Sequence, residues 1–329
     1  MKNRKCYVKR EILLILLFFV FVVSLISIFG LAEKIINRMN EPGDSPQYTA
    51  DGKSQFYYGG HLYSLNENVE SVLVMGIDSI MTPDSSKADS LQADFIALVV
   101  INKLNNSFKV LHINRDTMTE IVQLDDNGNK YGTYEAQLAL AHTYGGEGKF
   151  QCRNTVDAVE NLLYNVRIDH YVSLTMDAIP LINDSIGGVT VVLGEDIPSL
   201  GAAFVKDAEI TLTGEQALAF VRYRSNAVTT SNLERMERQR QYITALSEKY
   251  TDTSLDVALE TLVDISEYLV SDCTANQLSL LMERLQTYTY EGTLSLEGEA
   301  QKTGEYVEYY IDDIAAQKTV VDLFYKIEE

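Results

Sequence analysis

In the stretch AFVRYRSN, residues 219–226, Arg222 and Arg224 stand two residues apart. Side chains of an extended chain alternate between its faces, so both would project on one side with Phe220, opposite Val221 and Tyr223. Two adjacent guanidiniums repel unless an anion lies between them, and the planar fork of arginine matches phosphate oxygens bidentately. The competing reading is a solvated edge strand whose arginines pair with nearby acids. Just beyond, NLERMERQRQ places Arg235, Arg238 and Gln239 at i, i+3 and i+4, so one helical face carries two guanidiniums and an amide. Glu234 and Arg238 also make an ordinary exposed i,i+4 pair. Together strand and helix could surround a phosphate group. Upstream, Thr213 and Gln216 fit a capping box that opens a short helix through EQALA, after which FVRYR is expected to continue as a strand.

Carboxylates come earlier in the chain. Asp78 follows the strand-like run SVLVMGI, and Asp94 opens DFIALVV after the polar loop MTPDSSKADSLQA. Neighbouring strands could bring the two together at a sheet end, where hard oxygen ligands suit Mg²⁺ or Mn²⁺. The alternative is that each aspartate caps a turn. Arg115, in HINRDT, ends the next strand; its plain reading is a surface arginine paired with Asp116. Asp116 and Thr117 themselves read as turn or cap residues.

Charge singles out the same region. The 329-residue chain is 46% hydrophobic and 22% charged, the composition of a globular protein with a sizeable core. Beyond residue 10 it holds 22 Lys and Arg against 47 Asp and Glu, a formal charge of −25. Such a surface repels nucleic acid and any other polyanion, except where positive charge is gathered. Of ten arginines beyond the tail, five fall within residues 222–240.

The N-terminus bears on where the protein works. Residues 12–32 carry no charge, about the ~20 apolar residues that cross a bilayer as a helix. A cleaved signal peptide is the alternative, but the run is long for one and no Ala-x-Ala pattern follows. Lys2, Arg4, Lys5, Lys9 and Arg10 precede it, which places residues 1–11 in the cytoplasm and the remainder outside the cell. Cys152 and Cys273 would then be outside, where pairing and free thiols are both open readings. No Cys/His spacing suggests zinc.

The elements that must position these groups read as α/β. Residues 33–68 contain EPGDSP and YYGG and read as an extracellular stalk with a local hairpin. SVLVMGI, DFIALVVIN and SFKVLHIN read as strands, and residues 151–163 set Val156, Val159, Leu162 and Leu163 on one helical face. DHYVSLT is strand-like, MDAIPLINDSI helical, and GGVTVVL a strand after a glycine stop. Residues 240–290 read as helices, VEYYI as a late strand, and DDIAAQKTVVDLFYKIEE as a closing helix. This order predicts a mostly buried central sheet covered on both faces, a three-layer α/β/α sandwich.

The blocks GID (76–78), QADFIALV, INRDT, AHTYGG, ENLL, IDHYVSLTMDAIPLINDSIGGVTV, LTGEQALAFVRYR and ERMERQRQ stand in an order that resembles the LytR-CpsA-Psr family of cell-envelope proteins, over residues 69–245. Residues 246–329 would complete the same extracellular domain. The resemblance implies a metal-dependent phosphotransferase. It would move a glycopolymer from a polyprenyl-pyrophosphate carrier to peptidoglycan through a phosphodiester, with the lipid in an apolar pocket and the pyrophosphate and Mg²⁺ (or Mn²⁺) at its mouth. It assigns Asp78 and Asp94 to the metal, and Arg115, Arg222, Arg224, Arg235 and Gln239 to the phosphates, with Asp78, Asp94 and Arg115 as the catalytic set. Two positions depart from the family pattern: Gln92 stands where an arginine is usual and Gln137 where a lysine is usual. Each removes one positive charge and keeps a hydrogen-bond donor. A non-catalytic binder of lipid-linked glycan and a pyrophosphate hydrolase are the competing classes. A DNA-binding regulator lacks the basic face it would need.

Overall fold

The computed structural model describes residues 45–48, 54–78, 91–146, 148–223, 231–304 and 306–328. They fall into two compact units, residues Met1–Tyr63 with Ile327–Glu329 and residues Ser64–Lys326. The apolar run 12–32 lies outside the described residues; among those described, no helix is long and apolar enough to cross a membrane. In the segment read as a stalk stand β1 (Ser45–Tyr48), β2 (Ser54–Tyr58) and β3 (His61–Leu65). Gly59 and Gly60, with φ of 57° and 83°, turn β2 into β3. Two successive left-handed residues are what a two-residue hairpin turn requires.

In the larger unit β4 (Val69–Ile77), β5 (Ala93–Asn102) and β6 (Ser107–Ile113) come first, followed by the hairpin of β7 (Met118–Leu124) and β8 (Lys130–Gln137) and helix α1 (Lys149–Leu162). Next are β9 (His170–Thr175), α2 (Ala178–Ser185), the hairpin of β10 (Val189–Val192) and β11 (Glu209–Leu212), α3 (Gly214–Arg222) and α4 (Ser231–Thr251). The rest is α5 (Leu255–Asp264), β12 (Leu269–Ser271), α6 (Ala275–Thr287), β13 (Thr289–Ser295), the hairpin of β14 (Gly298–Thr303) and β15 (Tyr306–Ile311), α7 (Asp313–Phe324) and β16 (Tyr325–Ile327).

The central sheet is mixed, in the order β12-β9-β4-β5-β6-β13. Strand β4 runs parallel to β9, and β6 to β13, while β5 is antiparallel to both its neighbours. Successive residues Ile96, Ala97 and Leu98 of β5 are all almost fully buried, so both faces of this strand are covered. On one face Val72, Ala97, Ile101, Phe108 and Val110 pack with Ile243 of α4 and with Leu281 and Leu285 of α6. Val172 of β9 joins that cluster, so the next side chain, Ser173, points the other way, where the Cys152 thiol of α1 hydrogen-bonds it. The sheet thus has helices on opposite sides, as the alternation of strand and helix patterns predicts.

Two readings of the chain are overturned. The closing helix stops at Phe324, and Tyr325–Ile327 form β16 instead. The run FVRYR does not form a strand; its residues through Arg222 are the second half of α3. Thr213 and Gln216 make the predicted capping box, and the helix continues because Ala217, Phe220 and Val221, at i, i+3 and i+4, all bury against Val189, Val191, Leu212 and Tyr242. Packing of that stripe outweighs the strand preference of Phe-Val-Arg-Tyr. The start of α3 is fixed too: the Gly214 amide donates to Asp184 Oδ1 at 2.7 Å, and a Cβ on Gly214 would sit 2.6 Å from the Pro180 carbonyl oxygen.

Burial also sets a pH dependence. His112 of β6 stacks on Phe95 with ring centroids 5.0 Å apart, and desolvation, helped by the charge of Arg240, lowers its pKa to about 4. His142 is likewise buried and lowered to about 4 by desolvation, against a hydrogen bond with the Leu91 carbonyl. Both rings are held neutral, so protonation favours the unfolded chain, whose histidines titrate near ~6.5. The stability they contribute is complete above that pH and is lost as pH falls toward 4, by about 1.4 kcal/mol per pH unit for each proton taken up on unfolding. Urea titrations at pH 4.5 to 7 should show this slope, and His112→Phe should remove about one proton's share of it. An unchanged slope in His112→Phe would contradict the assignment.

Candidate functional site

Register alone brings the charged groups to one end of the sheet. Ile77, the last residue of β4, pairs with Ala93 at the start of antiparallel β5 and with Thr175 at the end of parallel β9. Asp78, Asp94 and Asp177 therefore stand at the same edge. Arg115 joins them, because Ile113 of β6 pairs with Ile96 of β5. The β4–β5 register skips one residue, since Gly76 faces Phe95 and Ile77 faces Ala93. Asp94 is the bulged residue. A bulge re-aims the side chain of the extra residue, and bulges are common beside functional sites.

Asp94 is the hub of a buried ionic network. Its Oδ1 is paired with Arg115 Nη1, and its Oδ2 lies 3.5 Å from Arg235 Nη1. Asp94, Arg115 and Arg235 are each less than a tenth exposed. Arg115 also donates to Gln92 Oε1 and lies 3.5 Å from Asp116 Oδ1. The Gln137 amide in turn donates to Asp116 Oδ1 at 3.2 Å and to the Val307 carbonyl at 2.7 Å. Asp116 is thus a buried partner of the cluster, beyond the turn role its neighbourhood suggests. Both glutamines that depart from the family pattern touch the network, and neither adds charge to it.

A second pair lies beside the first. Arg222, at the last turn of α3, donates to Asp78 Oδ1 at 2.8 Å and comes within 3.8 Å of Asp177 Oδ1. Gln239 of α4 spans the gap: its amide nitrogen is 3.5 Å from the carbonyl oxygens of both Asp94 and Val221. Of the residues singled out in the sequence, the structure brings together Asp78, Asp94, Arg115, Arg222, Arg235 and Gln239. Arg224 lies outside the described residues. Arg238, on the same helical stripe as Arg235, goes elsewhere. It is buried, is paired with Glu195 and the Tyr223 carbonyl rather than exposed beside Glu234, and its guanidinium carbon lies 5.0 Å from the centre of the Tyr223 ring. Burial lowers its pKa against the opposing pull of Glu195.

Gln239 has a second surface. It lines a cavity of about 120 Å³ that is otherwise apolar, bounded by Val74 and Phe95 of the sheet, Leu174 of β9, Ile182 of α2, and Ile243 and Leu246 of α4. Tyr242 borders the same space, and burial raises its hydroxyl pKa well above the usual range, so the ring stays neutral. None of these residues was legible as pocket lining, because a pocket wall and a core use the same side chains in the same periodicity. Asp177 was missed as well. The signal for it was the parallel pairing of the strands ending MGID and LTMD, which sequence alone does not disclose.

A mixed sheet with a polar cluster at one strand edge and an apolar cavity bordered by Gln239 defines an α/β protein. The LytR_cpsA_psr family model matches residues 36–323. This chain belongs to that family. A relative from Halalkalibacterium halodurans, named polyisoprenyl-teichoic acid--peptidoglycan teichoic acid transferase TagU, is 34% identical over 177 residues, 54% of this chain and 51% of that protein. A Bacillus cereus protein of the same name is 30% identical over 261 residues, 78% of each. The match thus spans about half the length of the first relative and over three quarters of the second. Among solved structures, B. subtilis TagV superposes with a TM-score of 0.60 at 25% identity, covering 78% of this chain and 98% of that one. TagT bound to LI-WTA superposes at 0.57 with 22% identity over 78% of this chain and 90% of that one, a likeness of fold.

The two ion pairs should differ in what they do for stability. Arg115 neutralises buried carboxylates, so Arg115→Ala should cost about 3 kcal/mol or more, the penalty for leaving a buried charge short of its partner. Arg222 has a side chain 21% exposed, and Arg222→Ala should stay within about 1 kcal/mol of the parent. Urea denaturation of both variants checks this; equal losses would place the two pairs in the same environment.

Proposed function

We propose that this protein transfers a glycopolymer from a polyprenyl-pyrophosphate carrier to peptidoglycan, forming a phosphodiester. The observation that carries the reading is the junction at Gln239: one side chain reaches the main-chain carbonyl of Asp94, the hub of the ionic cluster, and also lines the apolar cavity. A prenyl pyrophosphate has this division of chemistry, an anionic head joined to a hydrocarbon tail. The cavity is smaller than the about 300–1,000 Å³ of usual ligand pockets, so α2 and α4 must part to admit the chain. The names of the TagU relatives fit this substrate class.

In this reading Arg115, Arg222, Arg224 and Arg235 hold the pyrophosphate, Gln239 donates to it, and Asp78, Asp94 and Arg115 form the catalytic set. A peptidoglycan hydroxyl attacks the phosphorus next to the sugar, and the lipid phosphate departs with the electrons of the broken P–O bond and takes up the hydroxyl proton. Such a reaction asks the protein chiefly for positioning and charge, which suits a cluster rich in guanidinium groups. Among the described residues, the guanidiniums of Arg115, Arg222 and Arg235 face the carboxylates of Asp78, Asp94, Asp116 and Asp177. The described set by itself carries no excess positive charge for a pyrophosphate. A divalent cation would add the missing positive charge, and the carboxylates of Asp78 and Asp94 are the hard oxygen donors Mg²⁺ or Mn²⁺ prefers, with Asp94 loosening its pairs to Arg115 and Arg235 to reach it. When bound, the ion would neutralise charge developing on the phosphate oxygens. The domain would face outward, held at the membrane by residues 12–32.

A second reading keeps the binding and omits the transfer. Gln92 and Gln137 favour it, because both spend their amides on Arg115 and Asp116 and supply no charge to a ligand. Product analysis with a lipid-linked polymer and peptidoglycan separates the readings: joined polymer supports transfer, free phosphorylated glycan marks a hydrolase, and bound but unchanged donor marks a binder. Arg222→Ala with Arg224→Ala should weaken polyprenyl-pyrophosphate binding at least 100-fold with an unchanged fold by circular dichroism. Undiminished binding would remove these arginines from the site.

A further inference from the structure

A second cluster lies at the opposite end of β9. Strand β12 runs antiparallel to β9 with Leu269 against Leu174 and Ser271 against Val172. Continued by two residues, that register sets Asp272 against Tyr171 and Cys273 against His170. The turn between β12 and α6 is held there: Asp272 Oδ1 accepts the Tyr171 amide at 2.9 Å, Ser271 Oγ donates to the Tyr171 carbonyl at 2.6 Å, and the Cys273 amide donates to Ser271 Oγ at 3.0 Å. The capping box of α6, with Thr274 and Gln277, fixes the following residues.

His170, Asp272 and Cys273 consequently converge. His170 Nδ1 is 3.7 Å from Asp272 Oδ1, Cys273 Sγ is 4.0 Å from the same oxygen, and all three ligand atoms lie within 4.8 Å of one another. Zinc bonds of about 2.0–2.3 Å at tetrahedral angles separate neighbouring ligand atoms by about 3.4–3.6 Å. The cluster needs to close by a few tenths of an ångström at these two edges and by up to about 1.2 Å between His170 and Cys273. We infer that His170, Asp272 and Cys273 form a Zn²⁺ site, with a water molecule in the fourth position.

The chemistry of the donors selects the metal. Thiolate and imidazole favour zinc over magnesium, and three protein ligands with one open position are a recurrent zinc arrangement. Sequence spacing does not disclose it, because the histidine lies about a hundred residues from its partners and only strand pairing joins them. Gln277 Nε2 lies 3.4 Å from His170 Nε2. Zinc takes the Nδ1 lone pair and the ring proton then sits on Nε2, so the Gln277 Nε2 donor gives up its contact there. His170 and Gln277 line a polar pocket of about 390 Å³, through which water reaches the ring. The thiol proton of Cys273 leaves to solvent, so binding releases about one proton and strengthens with pH. The site lies at the start of β9, about 16 Å along the strand from the edge that carries Asp177, so it is separate from the proposed phosphate cluster.

The test uses the full chain in detergent, stripped of metal with a chelator and titrated with Zn²⁺ alone by calorimetry in buffers of different ionisation heat. One equivalent should bind with release of about one proton, and Cys273→Ser and His170→Gln should each weaken binding at least tenfold. Zn²⁺ should slow the reaction of a thiol reagent in the parent but not in Cys273→Ser, with circular dichroism reporting folding of both variants. No saturable binding, or binding unchanged in both folded variants, would overturn the site. Mg²⁺ in place of Zn²⁺ should give no thiol protection.

Discussion

The carboxylate of Asp94, buried between Arg115 and Arg235, constrains this structure more than any other group. A charge taken out of water is tolerated only when it is closely paired. Arg115 arrives from the end of β6 and Arg235 from α4, so the pairing of Asp94 ties sheet and helix together at the end where the other polar groups gather. The bulge that frees Asp94 from the strand alternation belongs to the same arrangement, because a regular register would have placed this side chain on one face of the sheet. Asp116 and Gln137 extend the network outward, and Gln239 carries it to the Asp78–Arg222 pair.

Function follows from what this ionic layer borders. Directly beneath it the sheet, α2 and α4 leave an apolar cavity, and Gln239 belongs to both. Such a border between charge and hydrocarbon suits the proposed prenyl pyrophosphate. Membership of the LytR_cpsA_psr family and the TagU relatives point the same way. The polar groups at the far end of β9 serve a different chemistry, built from softer donors.

Strands and helices with strong patterns were legible in the sequence. DFIALVVIN and SVLVMGI read as buried strands and are, and the glycine stop in GGVTVVL marked a strand that the structure contains. Arg235 and Gln239 were legible through helical spacing and Asp78 and Asp94 through adjoining strand ends, and the order of motifs joined them with Arg115 and Arg222 as a group. FVRYR was misread because a short run of large side chains satisfies both the strand and the helix period, and burial of Ala217, Phe220 and Val221 decided for the helix. The separate role of Arg238 was hidden for a related reason: position on a helical face does not tell which of two neighbouring elements a side chain meets. Asp177, the cavity wall and the His170, Asp272 and Cys273 cluster depend on strand pairing between distant segments, which local pattern does not encode. Cys152 and Cys273, for which pairing was an open reading, are both free thiols.

A crystal structure of the protein with a short-chain prenyl pyrophosphate measures the central claim directly. The account predicts phosphate oxygens within hydrogen-bond distance of Arg115 and Arg222, with the prenyl chain against Leu174 and Leu246. A headgroup bound away from these arginines, or a prenyl chain lying outside the cavity, would contradict it.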